Sequence, residues 1–203
     1  MLQYQAVEPA TLGLLKKLIL KPYIENFCLV GGTALALHLG HRISVDIDLF
    51  TLEDFNSDEL LTNLSSDFNT IEPIIKTNNT LLVEVDSIRT DLIKFNYPFQ
   101  NIIFENNIRL LSLEDIASMK LDAITGRGKK KDFYDLFYLL QRFTLPEMLD
   151  LHIQKYQHST IFHVIKSLTW FEDAESDAEP FVLDKSVTWQ TVKSEIIKTV
   201  NLL

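Results

Sequence analysis

Cysteine is almost absent from this chain of 203 residues, because Cys28 is the only one. An intramolecular disulfide is therefore excluded, which fits a reducing cytoplasm. Cys28 precedes the apolar pair Leu29-Val30, and we expect a small buried side chain rather than a nucleophile. The chain begins with no basic region followed by an apolar run, so we expect no secretory leader. No stretch approaches the roughly 20 apolar residues that span a bilayer, and we expect no membrane contact.

Positive charge is also in short supply. Lys and Arg number 19 against 28 Asp and Glu, which gives a formal net charge of −9. A protein that coats nucleic acid is usually basic, so this balance argues against a general nucleic-acid binder. It leaves room for one local basic contact with RNA and for a basic protein partner.

The histidine and serine patterns of two common enzyme classes are missing. No Ser-His-Asp or Cys-His arrangement is legible, and His38 and His41 lack the other ligands of a zinc site. The later histidines His152, His158 and His163 show no metal-ligand spacing either. Nucleophilic catalysis and a structural zinc site are therefore not predicted.

Apolar periodicity divides the chain into a mixed first half and a helical second half. The spacing predicts helices over 9–20, 51–67, 113–124, 132–142, 147–156, 160–170 and 188–200. Strands are predicted at 29–30, 44–50, 70–76, 81–88 and 89–95, and residues 172–180 form an acidic linker. We expect an α+β fold. A small mixed sheet flanked by helices occupies residues 1–111, and a helical portion, 112–203, completes the active-site cleft.

The stretch from Leu29 to Phe50 carries the main chemical signal. A short apolar strand meets Gly31-Gly32, a short helix follows, and the next strand carries Asp46 and Asp48. Because strand side chains alternate, the two carboxylates and Ser44 share one face. The intervening apolar residues are expected to point into the core; these are Val45, Ile47 and Leu49.

Two adjacent carboxylates repel each other unless a cation lies between them. Mg²⁺ held by one or two carboxylates and by substrate phosphates suits this pair. The Gly31-Gly32 backbone can approach a ligand closely, and the amides entering the helix form an anion-binding end. The stretch predicts an NTP–Mg²⁺ site, the alternative being an acidic pair that simply faces water.

A third carboxylate would strengthen that prediction. Glu84 and Asp86 alternate with valines, as on a solvated strand face. Asp91 lies at one end of an otherwise apolar face with Ile93 and Phe95, and a carboxylate there needs a partner. We favour Asp91 over Asp86; the alternative is an ion pair of Asp91 with Arg89, Lys94 or another basic side chain.

The helical half supplies the basic groups. Lys120 interrupts an apolar stripe, which fits either a snorkelling side chain or a cation that reaches triphosphate oxygens. The segment 126–131 is the most basic of the chain and fits either a solvated loop or phosphate contact. Lys131 and Asp135 are spaced for an intrahelical salt bridge, and Asp132 complements the helix dipole.

These residues resemble a known family. Gly31-Gly32-Thr33 followed by Asp46-Ile47-Asp48 is similar to the signature of the DNA polymerase β-like nucleotidyltransferases. The run 120–136 resembles the AbiEii/AbiGii toxin branch, whose members carry a Lys-Asp-x-x-Asp motif, here Lys131, Asp132 and Asp135. The segments 168–175 and 187–189 are also similar to that branch, so the resemblance spans most of residues 25–195.

The resemblance implies a cytoplasmic enzyme that transfers a nucleotide from an NTP with Mg²⁺, or Mn²⁺ in its place. Members typically serve as the toxin of a type IV toxin–antitoxin pair in phage defence, and some relatives act on tRNA ends. An NTP, an RNA or tRNA acceptor and a cognate antitoxin are therefore the expected partners. Two alternatives stay open: a non-catalytic member that binds a nucleotide or a protein, and a nucleotidyltransferase for small molecules.

The resemblance also implies roles for individual residues. Asp46 and Asp48 would hold the metal, and Asp91 would be the third catalytic and metal-binding carboxylate that activates the acceptor hydroxyl. Many relatives have Gly-Ser at the turn where Thr33 follows Gly-Gly here, and a threonine hydroxyl can make the same phosphate contact. The implied nucleotide-binding residues are Gly31, Gly32, Thr33, Ser44, Lys120, Arg127, Lys131, Asp132 and Asp135.

Overall fold

A mixed sheet of seven strands forms the centre of the computed structural model, which describes residues 1–157 and 160–203. The strand order is β3-β4-β5-β2-β1-β7-β6; β2 and β5 pair in parallel, as do β1 and β7, and the other neighbours are antiparallel. The strands are β1 (Cys28–Leu29), β2 (Ile47–Thr51), β3 (Ile71–Thr77), β4 (Thr80–Val85), β5 (Ile88–Lys94), β6 (Ile102–Glu105) and β7 (Ile108–Leu111).

The helices flank this sheet in the first half of the chain and dominate the second half. They are α1 (Pro9–Leu18), α2 (Gly31–Leu39), α3 (Ser57–Asp67), α4 (Leu113–Gly126), α5 (Lys130–Leu139), α6 (Leu145–Lys155), α7 (Ile161–Leu168), α8 (Glu172–Glu175) and α9 (Trp189–Val200). The predicted α+β class, with a mixed sheet followed by a helical portion, is confirmed. The division at 111/112 falls between β7 and α4, and the existence of two domains stays a prediction.

Strand β2 is shorter than predicted, which changes the position of one apolar residue. Ile47 and Leu49 are buried as expected, whereas Val45 is 53 % exposed. The prediction for Val45 is wrong because regular alternation begins only at Ile47. Ser44, before the strand, pairs instead with Val7 in an isolated bridge and is buried.

Two other predicted boundaries differ from the structure. The helix predicted within 51–67, with Asp54 or Asn56 as its cap, begins at Ser57. Asn56 is the cap, because its side chain accepts hydrogen bonds from the Asp58 and Glu59 amides. Asp86 does not lie on a strand face, since it forms the β4–β5 turn with Ser87, both with positive φ.

The β6–β7 hairpin is an addition to the prediction, which left residues 99–112 unassigned. Its two four-residue strands join through Asn106 and Asn107, both in the left-handed region. Strand β7 pairs with β1 and so carries the chain from the sheet into α4.

Segments of the helical half contact one another and also contact the first half of the chain. The predicted acidic linker, 172–180, contains the short helix α8 and lies against α5, where Asp177 accepts a hydrogen bond from the Lys130 amide at 3.0 Å. Residues beyond it pair with the first half of the chain, since the Ile43 amide donates to the Phe181 carbonyl at 2.9 Å.

The structure bears on the expectations for Cys28 and for membrane-spanning segments, and it does not describe His158. Cys28 is buried, and burial raises the pKa of its thiol, as expected for a structural cysteine. Within residues 1–157 and 160–203, no helix is both long and apolar enough to span a membrane. His158 lies outside the described residues.

Candidate active site

Asp48 and Asp91 stand side by side on the two central parallel strands. The register of β2 and β5 places Asp48 opposite Asp91, so both side chains point to the same side of the sheet. Burial, and then the charge of Asp91, raises the pKa of Asp48 to about 6. A carboxylate that is costly to ionise in this way is stabilised by any cation that enters beside it.

The N-terminus of α2 meets Asp48 at Gly31. The Val30 amide donates to the Asp48 carbonyl at 2.9 Å, which fixes the start of the helix against β2. Gly31 has φ +65°, and a Cβ built on it would clash with Asp48 Oδ2. The first-turn amides of an α-helix have no partner within the helix, so this end offers N–H donors beside the carboxylates.

Thr33 and Ser44 lie beneath this helix end. The Thr33 side chain is fully buried, and its hydroxyl donates to the Asp46 carbonyl and lies 2.8 Å from Ser44 Oγ. These bonds hold the entry into β2 in place. The Thr33 hydroxyl is directed inward, so a phosphate contact by Thr33 would fall to its main-chain N–H.

Asp46 and Asp91 each have a basic partner that is open to solvent. Lys131 Nζ lies 3.0 Å from Asp46 Oδ2, and Arg89 Nε lies 3.1 Å from Asp91 Oδ1. The predicted salt bridge between Lys131 and Asp135 is wrong, because Lys131 reaches across to the segment before β2 instead. The ion pair of Asp91 with Arg89, which was the alternative for this carboxylate, is formed.

Lys120 lies in a buried ion-pair network rather than at the surface. Its ammonium is 2.8 Å from Asp132 Oδ1 and 2.6 Å from Asp135 Oδ2. Snorkelling is therefore wrong for Lys120, whose side chain is 5 % exposed. Arg127 holds the other side of Asp132 with its Nε 3.0 Å from Oδ2 and remains 57 % exposed.

His41 and Arg42 complete the network, and sequence reasoning missed both as site residues. Arg42 donates from Nε to Asp135 Oδ1 at 2.7 Å and from Nη2 to Oδ2 at 2.9 Å, and His41 Nε2 lies 2.7 Å from Oδ1. Burial alone would raise the pKa of Asp135, but Arg42 and Lys120 hold it well below its usual range. The available signal was that a carboxylate beside the apolar stripe of α5 requires a cation.

A cleft of about 560 Å³ gathers most of these groups. The helix end, the strand carboxylates and the basic side chains of the second half all border it. From the predicted set it is lined by Gly32, Ser44, Asp46, Asp48, Asp91, Lys120, Arg127 and Lys131. Thr33, Asp132 and Asp135 are buried behind its wall, and Gly31 borders an adjoining cavity. Arg42 and Arg89 line it as well.

Comparison of the sequence with known proteins identifies the family of this chain. The family model described as "Nucleotidyl transferase AbiEii toxin, Type IV TA system" matches residues 13–101 and 83–202. The chain belongs to this family. An uncharacterised protein of Aquifex aeolicus, aq_aa25, is 34 % identical over 177 residues, covering 82 % of this chain and 86 % of that protein.

Solved structures share the fold of this AbiEii-family chain. A Helicobacter pylori protein described as a nucleotidyltransferase has a TM-score of 0.61 at 20 % identity, covering 96 % of this chain and 95 % of its own. MenT4, a nucleotidyltransferase toxin of Mycobacterium tuberculosis, has a TM-score of 0.54 at 12 % identity, covering 94 % and 89 %. These structures show a shared fold. The family model is what identifies the protein as a nucleotidyltransferase of the AbiEii toxin family.

The Lys-Asp-x-x-Asp motif of this AbiEii protein connects three parts of the chain. Lys131 reaches Asp46. Asp132 binds Lys120 of α4 and Arg127 just after it, and Asp135 binds Arg42 and Lys120. The motif thus ties the first turns of α5 to α4 and to the segment that leads into β2. The two blocks of sequence that resemble the family meet at one cleft.

The carboxylates of this AbiEii protein do not form a complete metal cage by themselves. Within residues 1–157 and 160–203, no group of three or more His, Cys, Asp or Glu side chains is arranged to hold a metal ion. Asp46 and Asp91 face Lys131 and Arg89, as described above. The donor set does fit Mg²⁺ shared between one or two carboxylates and a bound triphosphate, which is how proteins usually hold this ion.

Gly31→Ala is expected to lower the free energy of unfolding by at least about 1 kcal/mol, because an L-residue is strained at positive φ. The new methyl group would also displace the Asp48 carboxylate. Gly13→Ala is the matched control. Gly13 lies inside α1 with open space around a Cβ, so this change should stabilise by about 0.5–1 kcal/mol. Urea unfolding measures both, and equal effects of the two changes would contradict the placement of Gly31.

Proposed function

We propose that this protein transfers a nucleoside monophosphate from an NTP to an acceptor hydroxyl in a reaction that depends on Mg²⁺, or Mn²⁺ in its place. The observation that carries the proposal is the register of Asp48 and Asp91, which lie side by side next to the N-terminus of α2. Family membership gives the reaction class. The geometry supports a site for the metal, the triphosphate and the attacking hydroxyl within one cleft.

Asp46, Asp48 and Asp91 are the residues that would hold the metal. When bound, Mg²⁺ supplies charge neutralisation at the phosphates and alignment of the α-phosphorus. Asp48 gains most from such a cation, since burial and Asp91 disfavour its charge. The ion pairs of Asp46 with Lys131 and of Asp91 with Arg89 are partly exposed, and such pairs are weak enough to exchange.

The basic side chains then take the phosphate charge. Lys131 and Arg89, released from their carboxylates, can turn to the triphosphate in the same cleft. Arg127 is half exposed and presents a guanidinium that Asp132 orients. The main-chain amides of Gly31, Gly32 and Thr33 offer further donors at the helix end. Asp132 and Asp135 are positioning residues in this scheme, because they hold Lys120 and Arg127 and do not border the cleft.

The transfer itself exchanges one bond for another at the α-phosphorus. The acceptor oxygen forms a bond to phosphorus while the bond to the bridging oxygen breaks, and pyrophosphate leaves with that electron pair. Asp91 accepts the proton of the acceptor hydroxyl and passes it to solvent. Arg89 fixes the Asp91 carboxylate before the nucleotide binds.

An RNA end is the acceptor that the cleft favours, although the whole protein is acidic. Positive side chains gather at the cleft mouth, where Arg89, Arg127, Lys129 and Lys131 are all lining residues. A local basic contact of this kind suits a phosphate backbone. Family membership in a type IV toxin–antitoxin system points to a cytoplasmic toxin with a cognate antitoxin, for which the net charge of −9 suits a basic partner.

Label transfer tests the proposal directly. The protein is incubated with MgCl₂, total RNA and NTPs labelled at either the α- or the γ-phosphate. Label from the α-phosphate should enter RNA and label from the γ-phosphate should leave as pyrophosphate. Transfer to a small molecule with RNA untouched would redirect the acceptor assignment, and binding without any transfer would make the protein a non-catalytic member of the fold.

Growth of a bacterial host tests the toxin assignment separately. Expression of the protein should arrest growth, and Asp48→Ala should relieve the arrest at equal protein levels. Arrest by both forms would separate toxicity from the proposed chemistry.

A further inference from the structure

A second cavity of about 300 Å³ adjoins the cleft at Asp48. Asp48, Lys120 and Arg127 line both spaces, so the two cavities meet at these three side chains. The second cavity is otherwise walled mainly by flat and apolar groups. We name it the aromatic pocket, defined by Phe50, Phe95, Ile116, Met119 and Tyr156.

The aromatic pocket combines groups that suit the phosphate and the base of a nucleotide. Gly31, at the anion-binding end of α2, lines the pocket beside Asp48. The rings of Phe50, Phe95 and Tyr156 line the same pocket. Phosphate donors and walls that suit a planar apolar ring therefore border the same space. Aromatic side chains bind nucleobases by stacking on them, and this contact does not depend on which base is present.

Asp122 is the polar group of this pocket without a use in the catalytic scheme. It lies on α4, two residues beyond Lys120, and lines the aromatic pocket. Asp122 is an exposed residue on the pocket wall, so its carboxylate is accessible to a ligand that enters. Partial burial raises the pKa of its carboxyl, although the charge of His152 opposes this. An accessible carboxylate can accept a hydrogen bond from such a ligand.

We propose that the aromatic pocket is a nucleobase subsite in which Asp122 selects bases that carry an exocyclic amino group. A carboxylate accepts a hydrogen bond from the amino group of adenine, cytosine or guanine. Uracil has no amino group, and its one ring N–H donor on the pairing edge lies between two carbonyl oxygens, which a carboxylate repels. The inference rests on the proposed function, since it assumes that the cleft holds the phosphates of the same nucleotide chain.

The base can come from the NTP or from the RNA end that accepts the nucleotide. The shared chemistry is an amino-bearing base against aromatic walls, and binding assays that use each ligand alone separate the two sources. Isothermal titration with Ca²⁺ in place of Mg²⁺ measures binding of ATP, CTP, GTP, UTP and inorganic tripolyphosphate without RNA. Titration with oligo(A) and oligo(U) measures binding of RNA without NTP.

Asp122→Asn is the main variant, because asparagine has the same size and can donate to uracil. The wild-type protein should bind the amino-bearing ligands about tenfold more tightly than the uracil ligand, and Asp122→Asn should remove that ratio. If the pocket takes the base of the NTP, the ratio appears among the four NTPs. If it takes the base of the RNA end, the ratio appears between oligo(A) and oligo(U). Glu114→Gln changes an exposed carboxylate on the same helix and should leave the ratio unchanged.

Gly126→Phe provides a second test that does not depend on Asp122. Gly126 lines the aromatic pocket, and a Cβ there would meet open space, so a large side chain can enter without unfolding the helix. This change should weaken binding of the base-containing ligand at least tenfold and leave tripolyphosphate binding unchanged.

The outcomes separate this inference from the proposed function. One outcome is that tripolyphosphate and all four NTPs bind with equal affinity, and that neither Asp122→Asn nor Gly126→Phe alters the ratio of oligo(A) to oligo(U) binding. The aromatic pocket is then not a nucleobase subsite, while the phosphate site stands. If neither NTPs nor tripolyphosphate bind the wild-type protein, the proposed function fails and this inference fails with it.

Discussion

Asp48→Asn is expected to make the metal-free protein more stable and at the same time inactive. The pKa of Asp48 is raised from 3.8 to about 6, first by burial and then by Asp91. Because the folded state binds this proton more tightly than the unfolded chain does, stability falls as pH rises from about 4 to about 6 and is level above that. The full difference of about two pKa units corresponds to about 3 kcal/mol. Asparagine cannot ionise and should recover up to that amount.

Urea unfolding in the presence of a chelator measures this gain at two pH values. At pH 8, Asp48→Asn should exceed the wild type by up to about 3 kcal/mol, and below pH 4 the two should coincide. Glu84→Gln is the control. On strand β4, Leu82 lies opposite Asp91, and Glu84 lies two residues further along on the same face without lining the cleft. It should change stability by no more than about 0.5 kcal/mol. A loss of stability for Asp48→Asn at pH 8 would contradict the strain assigned to this carboxylate.

Asp135→Asn is expected to have the largest destabilising effect of any single substitution in the network. Asp135 is fully buried and is the shared partner of Arg42, Lys120 and His41. Removal of its charge leaves two buried cations without their main counterion. Breaking a buried pair by removing one partner costs about 3–5 kcal/mol. The same change should loosen Lys120 at the cleft wall and so lower nucleotide binding.

Urea unfolding at pH 7 measures that loss, with Asp150→Asn as the matched control. Asp150 is an exposed carboxylate of α6, and its substitution should stay within about 0.5 kcal/mol. The linkage also sets a pH dependence. The lowered pKa of Asp135 gives stability that is present at neutral pH and is lost in acid as the folded-state carboxyl becomes protonated. A loss below about 1 kcal/mol for Asp135→Asn would show that Arg42 and Lys120 find other partners.

Asp48 and Asp91 could be singled out from the sequence as candidate carboxylates, because strand alternation and a lone carboxylate on an apolar face depend on local pattern. The parallel pairing of β2 with β5 that sets the two side by side was not predicted. The buried stripe of α5 was predictable for the same reason, and Phe133 and Leu136 are buried in the structure. Family resemblance added the motif that supplies the opposite wall.

The partners of the α5 motif could not be anticipated in the same way. Local spacing predicted a pair of Lys131 with Asp135, whereas Lys131 reaches Asp46, 85 positions away in the chain. Asp135 likewise binds Arg42 across 93 positions. Contacts of this kind are set by how the helical half docks on the sheet, and no local period encodes them. The exposure of Val45 follows from the same limit, since strand alternation does not say where the strand begins.

Nucleotide transfer by Asp91→Asn, compared with Glu84→Gln, tests most directly whether the carboxylates of β2 and β5 form the catalytic site. Both residues are carboxylates on the same side of adjacent strands, but only Asp91 lines the cleft. With NTP labelled at the α-phosphate, MgCl₂ and RNA, Asp91→Asn should lose transfer by at least about a hundredfold, and Glu84→Gln should stay near the wild-type rate. Wild-type transfer by Asp91→Asn, or an equal loss in Glu84→Gln, would contradict this assignment.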